Sequence, residues 1–432
     1  MSVTSPRVRP ARVVRLTWRG RMLLAVSLVS LASAYLFAAD ELLILGCFTG
    51  APPLLSLWFV RTRRPRMSAR RSFSPRVLSA GRTGTVRVEL ANLSATGVAQ
   101  ARWRDVLTFS PGSTPVAPLP PLGPRGRGPS DRSVARLRYE LTPPRRGIVD
   151  IGPIVVDFTD PFGLTRGEFT VGTSQKLIVT PRASLLNRHG LGLAADSGSA
   201  RLFQRRAIAG DDDLMTREYR PGDALRRVHW RASAHHGELM VRDEEQRSHA
   251  EALIVLETRR SGYRDVTRYP VPDQADSESF EWALRMASSL CQHLASEGFI
   301  VRVLETGSEQ LAPVGRSEAF QESLASIRLT YSNALEGGLL VGTPRSDAAL
   351  GPVFAILGEP DADLLHRLAQ HRSSFGRAVA FRVVPERFQH ASAEELDPAD
   401  TLTAIGFQCT SVDPGTDVAQ VWDAINEDDP HG

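Results

Sequence analysis

Cysteine is scarce in this chain of 432 residues. Cys47, Cys291 and Cys409 stand far apart, with no C-x-x-C pair and no Cys/His spacing of a zinc site. That excludes a disulfide framework and suits a reducing compartment. Lysine is scarcer still: Lys176 stands alone among 52 basic residues, and the rest are arginine. The phosphate-binding pattern G-x-x-x-x-G-K-[ST], the G-x-S-x-G elbow and the H-E-x-x-H zinc pattern are missing. Any ATP hydrolysis tied to this chain therefore belongs to a partner.

Net positive charge is also missing from most of the chain. Residues 1–71 carry twelve Arg against Asp40 and Glu41, a net +10, while the remaining residues sum to −6. The overall +4 thus describes the N-terminal region, and nucleic-acid binding by the body is not expected. Hydrophobic residues at 42% and charged residues at 23% are an ordinary globular mix, long enough for two or three domains.

What the N-terminal region does hold is two uncharged runs, Met22–Ala39 and Leu42–Val60, separated by Asp40 and Glu41. As helices, each spans about 27–28 Å, close to the hydrocarbon thickness of a bilayer. Arg7, Arg9, Arg12, Arg15, Arg19 and Arg21 precede the first run, and Arg61, Arg63, Arg64, Arg66, Arg70 and Arg71 follow the second. The positive-inside rule predicts a hairpin with both termini cytoplasmic, in a multi-pass protein of the cell (inner or plasma) membrane. Pro52 and Pro53 are expected to kink the second helix. Ala32-Ser33-Ala34 also offers small residues for leader cleavage, but the second run would still stop transfer.

The expected order is a basic N-terminus (1–21), two transmembrane helices (22–60), a β-sandwich (72–182), a linking segment (183–249) and an α/β domain (250–427). Val86, Val88 and Leu90 alternate with polar residues, as do Leu137, Tyr139 and Leu141. Gly147–Phe158 and Leu177–Val179 add strands, and the Pro/Gly/Ser-rich stretch Pro111–Ser133 reads as a mobile loop. Strands at Ala252–Leu256, Phe299–Leu304, Val353–Leu357, Ala378–Val384 and Phe407–Ser411 then alternate with helical periods. Those periods fall at Phe280–Leu294, Asp361–Gln370 and Thr416–Ile425. That alternation predicts a mostly parallel sheet covered on both faces.

The linking segment contains GDDDLMTREYRPGDALRRVHWRASAHHGELMVRD, residues 210–243. Pro221-Gly222 reads as a turn, Asp223 as the cap of a helix reaching about Ala234, Gly237 as its stop and Leu239–Arg242 as a strand. Arg217, Tyr219, Pro221, Gly222, Asp223, Arg227, His229, Trp230, Ala232, Ser233, Ala234, Leu239, Val241 and Arg242 follow a spaced pattern. It resembles the signature of the domain of unknown function 58 family. Asp160-Pro161-Phe162-Gly163-Leu164 and Val179-Thr180-Pro181-Arg182 look like that family's D-P-F-G-L and V-x-P motifs.

The resemblance implies a helix pair, a β domain and a von Willebrand factor A-like α/β domain with mostly parallel sheet. It implies no established catalytic activity and no cofactor. The implied partners are a MoxR-type AAA+ ATPase and a transglutaminase-like membrane protein. The expected function is a non-enzymatic, membrane-anchored accessory or adaptor protein at the bilayer.

Each candidate for chemistry within the signature also has a packing role open to it. His229 and Asp223 would serve an inner-leaflet enzyme as acid and base, but on one helix they do not share a face. His235-His236 point apart and lack further ligands at helical spacing. Arg217, Arg220, Arg226, Arg227, Arg231 and Arg242 suit either an acidic partner or phosphate, or ion pairing with local acids at residues 211–213 and 243–245. The stretch Glu257-Thr258-Arg259-Arg260-Ser261 falls where a von Willebrand-like fold often places D-x-S-x-S metal ligands. An arginine there repels a cation, so no metal is expected, and a degenerate metal-dependent adhesion domain is the weakest reading.

Overall fold

The computed structural model describes residues 13–62, 65–98, 101–109, 111–125, 132–187, 216–219, 228, 230–242, 251–267, 276–315, 318–331, 351–389 and 397–427. The chain divides into two compact units, Met1–Thr180 and Pro181–Gly432.

In the first unit, strand β1 (Val13–Leu16) leads into α1 (Trp18–Phe37) and α2 (Asp40–Thr62). Both helices are long and apolar enough to cross a membrane. Their reversal is at Ala38, which takes the left-handed conformation at φ 46°. Asp40 and Glu41 are not the turn: they form the first turn of α2, where carboxylates suit the helix dipole. The helix continues through Pro52 and Pro53.

The pair is packed with its small residues inward. Gly20, Ser27, Ser30 and Ala34 are buried on α1, and Gly46, Gly50, Pro53, Ser56 and Val60 on α2. The Ser27 hydroxyl donates to the Gly46 carbonyl at 2.7 Å. A Cβ at Gly50 would lie 2.5 Å from the Ser27 oxygen, and one at Gly46 would lie 2.7 Å from Leu31. Gly46 and Gly50 are therefore the spacing that lets the backbones meet. Leu28, Val29, Leu36, Phe37, Ile44, Phe48, Leu54, Leu55 and Trp58 point outward and are exposed.

Strands β2 (Met67–Ser74), β4 (Gly84–Asn92) and β7 (Val134–Leu141) form an antiparallel three-stranded sheet. The second sheet contains β1, β3 (Val77–Ser79), β5 (Ala101–Leu107), β6 (Ala117–Leu119), β8 (Gly147–Thr159), β9 (Thr165–Val171) and β10 (Gln175–Thr180). Val86, Val88 and Leu90 from the first sheet share one core with Trp103, Ile151, Ile154, Val156 and Val179 from the second. The basic N-terminus is thus partly sheet, since β1 pairs antiparallel with β9.

The stretch 111–133 departs from its loop expectation. Within it β6 pairs with β5, Leu122 bridges to Val98, and Leu119 and Leu122 are buried. Their apolar surface is what fixes a Pro-rich segment onto the sheet edge, the place where Pro118 is tolerated. Arg71 and Asp105 form a buried two-pronged ion pair, both bonds 2.8 Å, which the Tyr139 hydroxyl joins at 2.8 Å. Burial, then the Asp105 charge and hydrogen bond, push the Tyr139 phenol well above its ordinary range.

The second unit holds a five-stranded parallel sheet of order β14-β13-β15-β16-β17. These are β13 (Glu251–Leu256), β14 (Ile300–Glu305), β15 (Val353–Leu357), β16 (Ala378–Val383) and β17 (Gln408–Val412). Alternate residues of each central strand face two separate cores. Ile254, Leu256, Phe354, Ile356 and Phe381 meet the helices Glu278–Ser296, Glu318–Ser326 and Val418–Glu427. Leu253, Val255, Ala355, Leu357 and Ala380 meet Ala362–His371 and Pro398–Ile405. This is why these strands read as continuous apolar runs. The helix Glu278–Ser296 is capped by Ser277, whose hydroxyl accepts from Phe280 N at 3.0 Å, and Gly298 ends it at φ 89°.

Candidate functional site

The chain passes from β13 to β14 on one side and later to β15 on the other, so the sheet's switch point lies between β13 and β15. Open parallel sheets bind ligands at the carboxyl end of such a gap. Here that end is filled by charged side chains of the protein itself.

Glu257 and Arg259 follow β13 directly and are 0% and 1% exposed. The Arg259 guanidinium donates to the Glu257 carboxylate from Nε at 3.1 Å and from one terminal nitrogen at 2.9 Å. Its other terminal nitrogen donates to Asp361 at 2.6 Å, across the gap. Asp361 follows β15 and uses its second oxygen to cap the next helix, accepting from Leu364 N at 2.9 Å. Burial alone would lower the Arg259 pKa. The hydrogen bonds and charges of Glu257 and Asp361 outweigh it and hold the guanidinium above its ordinary value.

Glu257 is further held by the Arg259 backbone N–H at 2.8 Å and by the Thr306 hydroxyl. The turn Arg260–Gly262 folds back over its carboxylate, and a Cβ on Gly262 would come 2.4 Å from the Glu257 Cγ. Only glycine allows that approach. The Tyr263 hydroxyl then donates to the Glu257 carbonyl at 2.9 Å. Next to this centre Glu359 pairs with Arg264 at 3.0 Å and Arg382 at 3.1 Å, and Arg382 reaches Asp397 at 2.8 Å. The edge therefore alternates Arg with Asp or Glu, and Asp361 and Asp397 keep about half their side chains in water. Among the described residues, no group of three or more His, Cys, Asp or Glu is placed to hold a metal ion.

The signature segment is placed in part. Strand β11 (Thr216–Glu218) pairs antiparallel with β12 (Met240–Arg242), so the backbones of Arg217 and Val241 lie opposite one another. Tyr219 N donates to the Leu239 carbonyl at 2.8 Å. A helix covers Trp230–His236, and Gly237 stops it at φ 75°. Ser233 ties the helix to the strand: its hydroxyl accepts from Met240 N at 2.8 Å. Trp230 is exposed.

The helix expected from Asp223 to Ala234 is interrupted at Val228, which is buried in a β-bridge, and the described helix begins at Trp230. A β-branched residue fits extended backbone better than a helix interior, and its burial there fixes the break. Pro221, Gly222, Asp223, Arg227 and His229 lie outside the described residues, as do the Arg220 and Arg226 positions. Arg217, Arg231 and Arg242 are placed by backbone only. The contribution of Asp361 was not legible. It reads in sequence as a helix start, and only the sheet brings it to Arg259, 102 residues away.

The family model described as "Protein of unknown function DUF58" matches residues 215–270. That stretch holds β11, β12, β13 and the Glu257–Arg259 corner, and it supports the family read from the signature. No curated protein sequence matches the chain. Among solved structures, the chain is similar to the CARDB domain of the PF1109 protein from Pyrococcus furiosus. The identity is 15%, over 27% of this chain and 88% of that one, with a TM-score of 0.19. It is also similar to the sporulation control protein Spo0M from Bacillus subtilis, at 10% identity over 26% and 49%, with a TM-score of 0.14. At such scores neither likeness bears on fold or function.

Proposed function

We propose that the chain is a membrane-anchored accessory protein, without chemistry of its own, that docks an AAA+ ATPase of the MoxR type. In this reading α1 and α2 cross the cell membrane, and the sheets of the first unit and the whole second unit lie on the cytoplasmic side. The first unit is a β-sandwich mount, and the second is a von Willebrand factor A-like module that presents the docking surface.

One observation carries the anchor: the helix pair buries glycine and serine and exposes leucine, phenylalanine and tryptophan. In water that distribution is unfavourable by about 25 cal/mol for each Å² of apolar surface left exposed; in lipid it is the expected one. The flanking arginines set the orientation. The ion-paired switch point supports a binding role over catalysis, since a salt-bridged guanidinium occupies the place where a substrate would enter. The ATPase and a transglutaminase-like membrane protein as partners rest on the family resemblance.

The test is affinity capture of the tagged full chain from detergent-solubilised membranes, followed by mass spectrometry. Recovery of a MoxR-type ATPase, lost on Asp361→Arg or Asp397→Arg, is the expected result. Repeated capture without such an ATPase overturns the partner assignment.

A further inference from the structure

The turn Asp160–Leu164 joins the β8 and β9 strands and is rigid. Asp160 is buried and its carboxylate accepts from Phe162 N at 3.0 Å and from Thr165 N at 2.5 Å. Gly163 N closes the turn on the Asp160 carbonyl at 3.0 Å. At its tip Phe162 is 74% exposed, whereas Phe158, near the end of β8, is buried.

This turn is fastened to both helices at one level. Thr17, the cap of α1, donates its backbone N–H to the Leu164 carbonyl at 2.8 Å and its hydroxyl to the Gly163 carbonyl at 2.7 Å. Gly20 lies so close that a Cβ would sit 2.3 Å from the Leu164 oxygen. On α2, Ser56 donates to the Thr165 hydroxyl at 2.9 Å, and Val60 is buried in the β core. The turn is thus level with the first turn of α1 and the last turns of α2. The same level carries exposed Trp18 and Trp58, the Arg21 guanidinium 5.9 Å from the Trp18 ring, and Arg19 and Arg61. Tryptophan with arginine at helix ends is the composition of a membrane–water boundary.

We infer that the Asp160–Leu164 turn is a third membrane contact, with Phe162 seated in the headgroup–acyl boundary of the bilayer beside α1 and α2. A solitary exposed phenylalanine needs no partner. This one is carried by a hydrogen-bonded turn fastened to the two helix ends, at the level where Trp18 and Trp58 are exposed. The contact fixes the tilt and rotation of the β unit, which two helices joined by a short reversal would leave free about their own axis. It rests on the reading that α1 and α2 span the membrane.

The experiment is nitroxide accessibility in the full chain, after Cys47, Cys291 and Cys409 have been replaced by alanine. The protein is reconstituted in vesicles of phosphatidylethanolamine and phosphatidylglycerol. Labels go on Phe162→Cys, on Val29→Cys in the middle of α1, and on Arg136→Cys, exposed on β7, as the aqueous reference. Each is read by its relative exposure to oxygen and to a water-soluble nickel chelate. The expected result is a Val29 label deep in hydrocarbon and a Phe162 label shifted toward oxygen, between Val29 and Arg136. A lipid-embedded Val29 label with a Phe162 label equal to Arg136 overturns the third contact and leaves the anchor standing. A Val29 label in water overturns the anchor and the contact with it.

Discussion

The helix pair and the parallel sheet are built by opposite rules. Around the sheet, large side chains fill the core on one face: Trp282, Trp422, Phe280, Phe354 and Phe381 are almost fully buried. In the helix pair the buried positions are mostly glycine, serine and alanine, with Pro53 and Val60 on α2, and most large side chains face out. The two packings suit different solvents. Water drives the sheet's apolar surface together, whereas in the lipid setting proposed for α1 and α2 that drive is missing, and close backbone approach and hydrogen bonds such as Ser27 to Gly46 hold the pair.

The two units also differ in how they use a buried charge. Arg71 and Asp105 sit inside a β core as a structural tie, while Arg259 joins two strand ends across a gap where ligands bind in other open sheets. Removing either arginine leaves a carboxylate buried without its counter-ion. Arg71→Ala and Arg259→Ala should each cost about 3–5 kcal/mol, the largest effects expected, read as lost chemical-denaturation midpoint. If the Arg259 centre is a sealed structural tie like the first, Arg259→Lys will recover little, because an ammonium cannot serve both carboxylates with fixed geometry.

Next in size is the direct test of the inverted packing. Leu290→Ala, in the sheet's core, should cost about 2–5 kcal/mol. Leu55→Ala, exposed on α2, should leave the stability of the chain in detergent within about 0.5 kcal/mol. Equal losses at the two sites would break the contrast. Gly50→Leu inverts the logic and should destabilise the helix pair by about 1–3 kcal/mol through overpacking against Ser27. A crosslink between α1 and α2 that forms less readily would report it.

Smaller still is the exposed cross-strand pair Glu89–Arg136 at 3.6 Å, where Glu89→Ala should cost less than about 1 kcal/mol and lose even that in high salt. The smallest effect at neutral pH concerns Cys291. Burial pushes its thiol up to about 12, above the ordinary value of 9.0, so alkylation at pH 8 should be negligible in the folded chain. The sign follows from linkage. The folded state holds its proton more tightly, so the associated stability is complete below pH 9 and is lost as pH rises toward 12. Rapid alkylation of Cys291 at pH 8 without unfolding would show that the core opens.

Much of this architecture is local in origin. An uncharged run of bilayer length, the period-two pattern of Val86, Val88 and Leu90, and the continuous apolar strands of the parallel sheet each encode their own element. The helix stops at Gly237 and Gly298 were equally readable, because only glycine takes those positive φ values at low cost. The stretch 111–133 and the run into Trp230 were misread where tertiary burial overrode composition. Leu119 and Leu122 found a sheet edge, and Val228 found a bridge.

The sequence by itself determined the helix hairpin, the strand-to-helix alternation and the arginine at the end of β13, since each depends on neighbours a few residues away. Only the tertiary structure decided that Asp361 would answer that arginine, that small residues would form the inside of the helix pair, and that the Phe162 turn would stand beside both helix ends. The helix pair joins Ser27 to Gly46, 19 residues apart, and the other two facts join residues more than 100 apart; no local preference carries information about such distances.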